Sequence, residues 1–153
     1  MLWRGADVSE CDSDGNTALH LATIQRNFKM IRCLVHFHAD VNSQNNFGLT
    51  PVCIAALFGY NEIVEYFLQQ HADVTISDND GKTPLHCAAK KGFEETVALL
   101  LHYGADPHIS DKKGKTPKDY AYKYVKDNTG KHNVPNKMTQ ENYFVTLQSL
   151  YGN

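Results

Sequence analysis

The sequence predicts an all-α solenoid of helix-turn-helix repeats joined by β-hairpin-like turns. Three observations predict it. A glycine recurs every 33 residues, at Gly15, Gly48, Gly81 and Gly114, and a threonine follows two residues behind each one, at Thr17, Thr50, Thr83 and Thr116. A second phrase keeps the same interval: Ala6-Asp7, Ala39-Asp40, Ala72-Asp73 and Ala105-Asp106. Between the phrases, apolar residues fall at helical spacing in two short runs per repeat. A fixed period means that each unit buries itself on its neighbours instead of around one central core.

Residues 1–11 read as the tail of a preceding repeat, because Met1 to Val8 falls in register with Leu100 to Pro107. The sequence begins inside a repeat, which leads us to expect a longer array. The first complete repeat, 12–44, opens with turn chemistry from Asp12 to Thr17, where Gly15 is free to take a positive φ. Leu19, Leu21 and Ala22 start its first helix, and Phe28, Met30, Ile31, Leu34 and Val35 supply the stripe of its second. This repeat is the least regular. Ala18 replaces the helix-opening proline, and Arg26 stands where Gly59 and Gly92 stand in the next two repeats. A left-handed backbone at Arg26 costs about 1 kcal/mol relative to glycine, so Arg26-Asn27 is expected to be a weak point.

Repeats 45–77 and 78–110 follow the pattern most closely. Thr50-Pro51 and Thr83-Pro84 put a proline in the first helical turn, where its missing N–H breaks no hydrogen bond. Ala55-Ala56 and Ala88-Ala89 let neighbouring helices approach closely, while Ile63, Val64, Phe67 and Leu68, then Val97, Leu99, Leu100 and Leu101, mark the second helices. The last unit, 111–153, is a degenerate repeat. Thr116-Pro117-Lys118-Asp119-Tyr120-Ala121 opens a helix, 126–138 reads as an inserted loop rich in Asn, Gly and Pro, and 139–151 reads as a displaced capping helix with Tyr143, Phe144, Leu147, Leu150 and Tyr151 on one side.

The words of the third repeat, Asp78-Asn79-Asp80-Gly81-Lys82-Thr83-Pro84-Leu85-His86-Cys87-Ala88-Ala89-Lys90-Lys91-Gly92, recur almost intact before it and partly after it. A Thr-Pro-Leu-His-x-Ala core on this period resembles the ankyrin repeat family, over nearly the whole chain. The resemblance implies that His20 and His86 hydrogen-bond between adjacent turns, and that partners dock on the concave side, at the turn tips and the outward pair ending each first helix.

Composition bounds the remaining chemistry. A formal charge of -2 and 42% hydrophobic residues carry no global bias toward nucleic acid or membrane. Neither a signal-peptide run nor an 18-residue apolar stretch is present. Cys11, Cys33, Cys53 and Cys87 have no paired zinc-ligand spacing, which points to reduced thiols and a cytoplasmic or nuclear setting. Eight histidines raise a metal or catalytic reading, but His36 and His38 are two apart and share no helix face, and no His-Glu-x-x-His occurs. The glycines come one per turn and build no phosphate cradle. The reading is a non-catalytic module without cofactor, metal or small-molecule substrate.

Carried onto this sequence, the docking positions implied by the resemblance are distinctive. The first repeat offers Ser13, Asp14, Asn16, Ile24 and Gln25; the second Asn46, Phe47, Leu49, Leu57 and Phe58; the third Asn79, Asp80, Lys82, Lys90 and Lys91; the fourth Lys112, Lys113, Lys115, Lys123 and Tyr124. Four apolar residues fall in one repeat, and seven lysines lie beside it. The partner this selects is a protein whose surface is apolar next to acidic. Nucleic acid ranks below protein, because no arginine cluster or stacking aromatics interleave the lysines. Another reading makes the chain a substrate: Asn42 resembles the ankyrin asparagines hydroxylated by an iron- and 2-oxoglutarate-dependent enzyme, and His108 holds the equivalent place.

Overall fold

A computed structural model describes residues 7–128, without the side chains of residues 122, 124–126 and 128. Seven helices follow one another among them: α1 (Ala18–Ile24), α2 (Phe28–His36), α3 (Pro51–Phe58), α4 (Asn61–Gln69), α5 (Pro84–Lys91), α6 (Glu94–His102) and α7 (Pro117–Asn128). The odd-numbered helices stack on one another as one layer, and α4 stacks on α6 in a second. The described residues contain no strand; a single antiparallel bridge, Cys11 to Thr17, marks the hairpin character of the first turn.

Each turn is built the same way. Gly15 N–H donates to the Asp12 carbonyl at 3.0 Å and Asp12 N–H to the Asn16 carbonyl at 3.0 Å, closing a tight loop with Gly15 at φ 76. Asp12 Oδ1 fills the loop by accepting from Asp14 and Asn16 N–H, both at 2.9 Å. Asn45, Asp78 and Asp111 repeat this with their own turns. Consecutive tips are stitched by backbone bonds: Asn46 N–H to the Asp14 carbonyl, Asn79 N–H to that of Phe47, and Lys112 N–H to that of Asp80. A Cβ on Gly15 or Gly48 would meet the next turn's backbone nitrogen at 2.8 and 2.7 Å, so the stacking needs glycine for space as well as for φ.

The helices pack through small and aliphatic groups. Leu19, Ile31, Leu34, Val52, Val64, Phe67, Leu85, Val97 and Leu100 are fully buried, and Ala55, Ala56, Ala88, Ala89 and Ala121 let α3, α5 and α7 come together. Each buried Leu, Ile or Phe contributes roughly 1.5–3 kcal/mol.

Three sequence expectations are amended. Leu21 and Met30, placed on the apolar pattern of the first repeat's helices, are 38% and 39% exposed, whereas the residues one and two periods later, Ile54 with Cys87 and Ile63 with Thr96, are buried. The interior residues are covered by the repeat in front; no described repeat precedes the first. Residues 126–128, expected to open the loop, continue α7, because Tyr-Ala-Tyr-Lys-Tyr-Val-Lys offers no helix breaker before Asn128. The rest of the expected loop and the capping helix 139–151 lie outside the described residues. Arg26 does adopt the left-handed backbone, φ 53, but its guanidinium carbon lies 5.3 Å from the centroid of the Tyr60 ring, a cation–π contact that offsets part of the cost. Asn27 caps α2 through Oδ1, which accepts from Met30 N–H at 3.0 Å.

Candidate functional site

In the first and third repeats a buried histidine ties the start of the first helix to the next turn. His20 is fully buried. Its Nε2 lies 2.9 Å from the Leu49 carbonyl, which can only accept, so Nε2 carries the proton and Nδ1 accepts from Thr17 N–H at 3.1 Å and Thr17 O–H at 2.8 Å. His86 does the same between Thr83 and the Lys115 carbonyl at 3.0 Å. Burial lowers the pKa of both imidazoles. Both ring nitrogens are committed to the neutral form, so these histidines are clips, one turn to the next.

The second and fourth repeats break this series. At the equivalent position Cys53 has no imidazole to reach the next turn; its thiol meets Cys87 of the following repeat, and that hydrogen bond, with burial, pushes it well up. An un-ionised, buried thiol is core material, not a nucleophile. In the fourth repeat Asp119 takes the place, its Oδ2 accepting from Thr116 N–H at 2.8 Å and Thr116 O–H at 3.0 Å. A carboxylate has nothing to donate onward.

On this frame the surface positions divide. Phe47 stands at the second tip, 58% exposed, while its backbone is pinned on both sides: its N–H donates to Asn45 Oδ1 at 3.0 Å and its carbonyl accepts from Asn79. Phe58, 48% exposed, ends α3 and stacks on Tyr60 with centroids 5.4 Å apart and planes at 20°. Asn46 is exposed but its Nδ2 donates to the Ser13 carbonyl at 3.0 Å; Leu49 and Leu57 are half-buried. The apolar positions of this repeat are therefore two well-exposed rings, Phe47 and Phe58, and two half-buried leucines, Leu49 and Leu57.

Lys90, Lys91, Lys112, Lys113, Lys115 and Lys123 are exposed. Lys82 is not a free member of the strip, because its Nζ pairs with Asp80 Oδ2 at 2.7 Å and its side chain is largely covered. The hydrogen bond to Asp80 raises the Lys82 pKa; the same bond, with the fields of Lys82, Lys113 and Lys112, lowers that of Asp80. An acid planted among the tips partly neutralises the strip. The side chain of Tyr124 lies outside those described. Asn42 is half-buried, with Oδ1 accepting from Asp73 N–H at 2.8 Å, while His108 is exposed.

The sequence marks the turn from Asp12 to Thr17, but reading it missed the part played by the side chains of Asp12, Asn45, Asp78 and Asp111, which shape every tip. Their signal was present, an Asx residue three before each periodic glycine. Tyr120 was also missed; it donates to Asp111 Oδ2 at 2.6 Å and packs edge-on to His86.

A cleft lined by Arg26, Phe28, Tyr60, Glu62 and Ile63 measures about 50 Å³, far below the roughly 300–1,000 Å³ of ligand pockets. Among the described residues no three His, Cys, Asp or Glu side chains group as a metal site, and no helix is long and apolar enough to cross a membrane. A family model for ankyrin repeats in three copies matches residues 1–78, 34–111 and 55–129. The chain belongs to the ankyrin repeat family. Ankyrin repeats are, in general, protein-interaction modules, and the family is typically non-catalytic. A search of curated proteins finds no match.

Proposed function

We propose that this ankyrin array is a non-catalytic binding module that takes a protein partner on its concave face, through Phe47 and Phe58 as the apolar anchor and Lys90, Lys91, Lys112, Lys113, Lys115 and Lys123 as the charged flank. The observation that carries this is the pair of exposed rings in one repeat on a hydrogen-bonded backbone. Phe47 on a pinned backbone and Phe58 stacked on Tyr60 have less freedom to lose when covered, and a few such residues carry most of the energy of an interface. The matching partner surface is apolar beside acidic. The cysteines are free thiols, which suits the reducing cytosol or nucleus. Hydroxylation of Asn42 ranks below this reading, because the carboxamide would first have to release Asp73 N–H.

Affinity capture with the wild-type chain and with Phe47→Ala/Phe58→Ala tests the proposal. The double variant should bind the captured partner at least about ten-fold more weakly, a loss of about 1.4 kcal/mol, while remaining folded. Unchanged affinity would remove the two rings from the site.

A further inference from the structure

The charges along the turn edge are ordered. The first turn, 12–16, carries Asp12 and Asp14 and no cation; the second, 45–49, carries no charge. The third holds Asp80 and Lys82 as an ion pair, with Asp78 beneath folded into the turn's own hydrogen bonds. The fourth exposes Lys112, Lys113 and Lys115, and its carboxylate, Asp111, is buried and bonded to Tyr120. Counted by their charged side chains, the four turns carry -2, 0, -1 and +2, so one end of the edge is acidic, the middle nearly neutral with Phe47 standing out of it, and the other end basic.

Stacked helices lie about 8–10 Å apart, so the first and fourth tips are separated by roughly 25–30 Å. That is several Debye lengths at physiological salt, about 8 Å each, so the two ends cannot neutralise one another within one molecule. A second copy laid antiparallel along the edge neutralises both ends at once. Its fourth turn meets the first turn here, and the converse contact follows by symmetry, which is the condition for a closed two-fold interface. In the middle, each Phe47 faces the other copy's third tip, where the Asp80–Lys82 pair leaves Asp78, held in the turn's own hydrogen bonds, as the one uncompensated charge. A parallel pairing would set like charges against like.

We propose that this chain self-associates through its turn edge as an antiparallel, two-fold dimer, with Asp14 of each copy opposite Lys113 of the other. The inference rests on the edge being a binding face, as in the proposed function, but names a different occupant. An interface of exposed ion pairs around one ring from each copy is a weak, salt-sensitive one.

Sedimentation velocity of the full chain over a range of concentrations, in low and high salt, tests it. The wild type should show a concentration-dependent monomer–dimer equilibrium that shifts to monomer as salt rises. Asp14→Lys alone, or Lys113→Asp alone, should weaken association about ten-fold, since each reverses both symmetry-related contacts. The double reversal, Asp14→Lys with Lys113→Asp, should return it to within about three-fold of wild type. Each substitution exchanges residue types already present at the same turn position, and an unchanged thermal midpoint checks that the turns are kept. A monomer at every concentration in low salt overturns the proposal; so does association that the single reversals leave unchanged or that the double reversal fails to restore. A monomer that still captures a protein partner through Phe47 and Phe58 overturns only this pairing, not the proposed function.

Discussion

The second and third repeats have nearly the same backbone and present different surfaces. Both open their first helix with Thr-Pro, close it with a left-handed glycine, Gly59 or Gly92, and fold their turns around an Asx side chain, Asn45 or Asp78. Yet Phe47 in one is Asp80 in the other, and Leu57-Phe58 is Lys90-Lys91. Frame and surface are separate sets of residues: the frame residues satisfy backbone donors and fill the space between repeats, and the rest are free to vary. Changes to the first set should move stability, and changes to the second should move binding.

The largest effect expected is in the frame. Gly48→Ala forces a Cβ to 2.7 Å from Asn79 N at a backbone φ of 75, so both clash and strain apply. A loss of about 3 kcal/mol is expected from urea unfolding. Gly114→Ala meets nothing within 4 Å and should cost only about 1 kcal/mol, the φ penalty alone. Equal losses at the two sites would mean that turn stacking contributes nothing at Gly48.

The imidazole clips predict a pH dependence. His20 and His86 have lowered pKa values in the folded chain, mainly through burial, so the unfolded chain binds protons more readily below its own value of about 6.5. Their contribution is complete above that pH and is lost as pH falls toward the folded pKa. The thermal midpoint should therefore drop as pH falls through about 6, and His20→Asn/His86→Asn should flatten that slope.

Smaller effects sharpen the contrast. His38 and His71 hold left-handed backbones, φ 64 and 63, at the place where Gly104 stands. Replacing either by glycine should raise stability by up to about 1 kcal/mol in the same unfolding assay. On the surface, Lys90→Glu/Lys91→Glu should leave stability within about 0.5 kcal/mol. It should slow partner association and lessen its salt dependence, as read by stopped-flow mixing.

Much of the fold was legible because its signals are local and repeated. The glycine period, the Thr-Pro starts and the alanine pairs each mark a backbone requirement that only a few residue types meet. What the sequence alone withheld depends on neighbours in space. Helical spacing puts Leu21 and Met30 among the apolar residues of the first repeat, but whether a face is covered depends on what stacks on it. Lys82 read as one of seven like lysines, and only the fold brings Asp80 to its Nζ. Leu49 and Leu57 read as equal to Phe47 and Phe58, and the packing around them leaves only the two rings standing well clear. The position of Arg26 was legible, while its compensation by Tyr60, one repeat away, was not.

The separation of frame from surface is tested most directly by measuring partner affinity and urea midpoint side by side for two variants. Phe47→Ala/Phe58→Ala should lose at least about ten-fold in affinity and keep its midpoint, whereas Gly48→Ala should lose its midpoint, with any loss of binding following the fraction unfolded. Binding and midpoint falling together in the double phenylalanine variant would contradict the account.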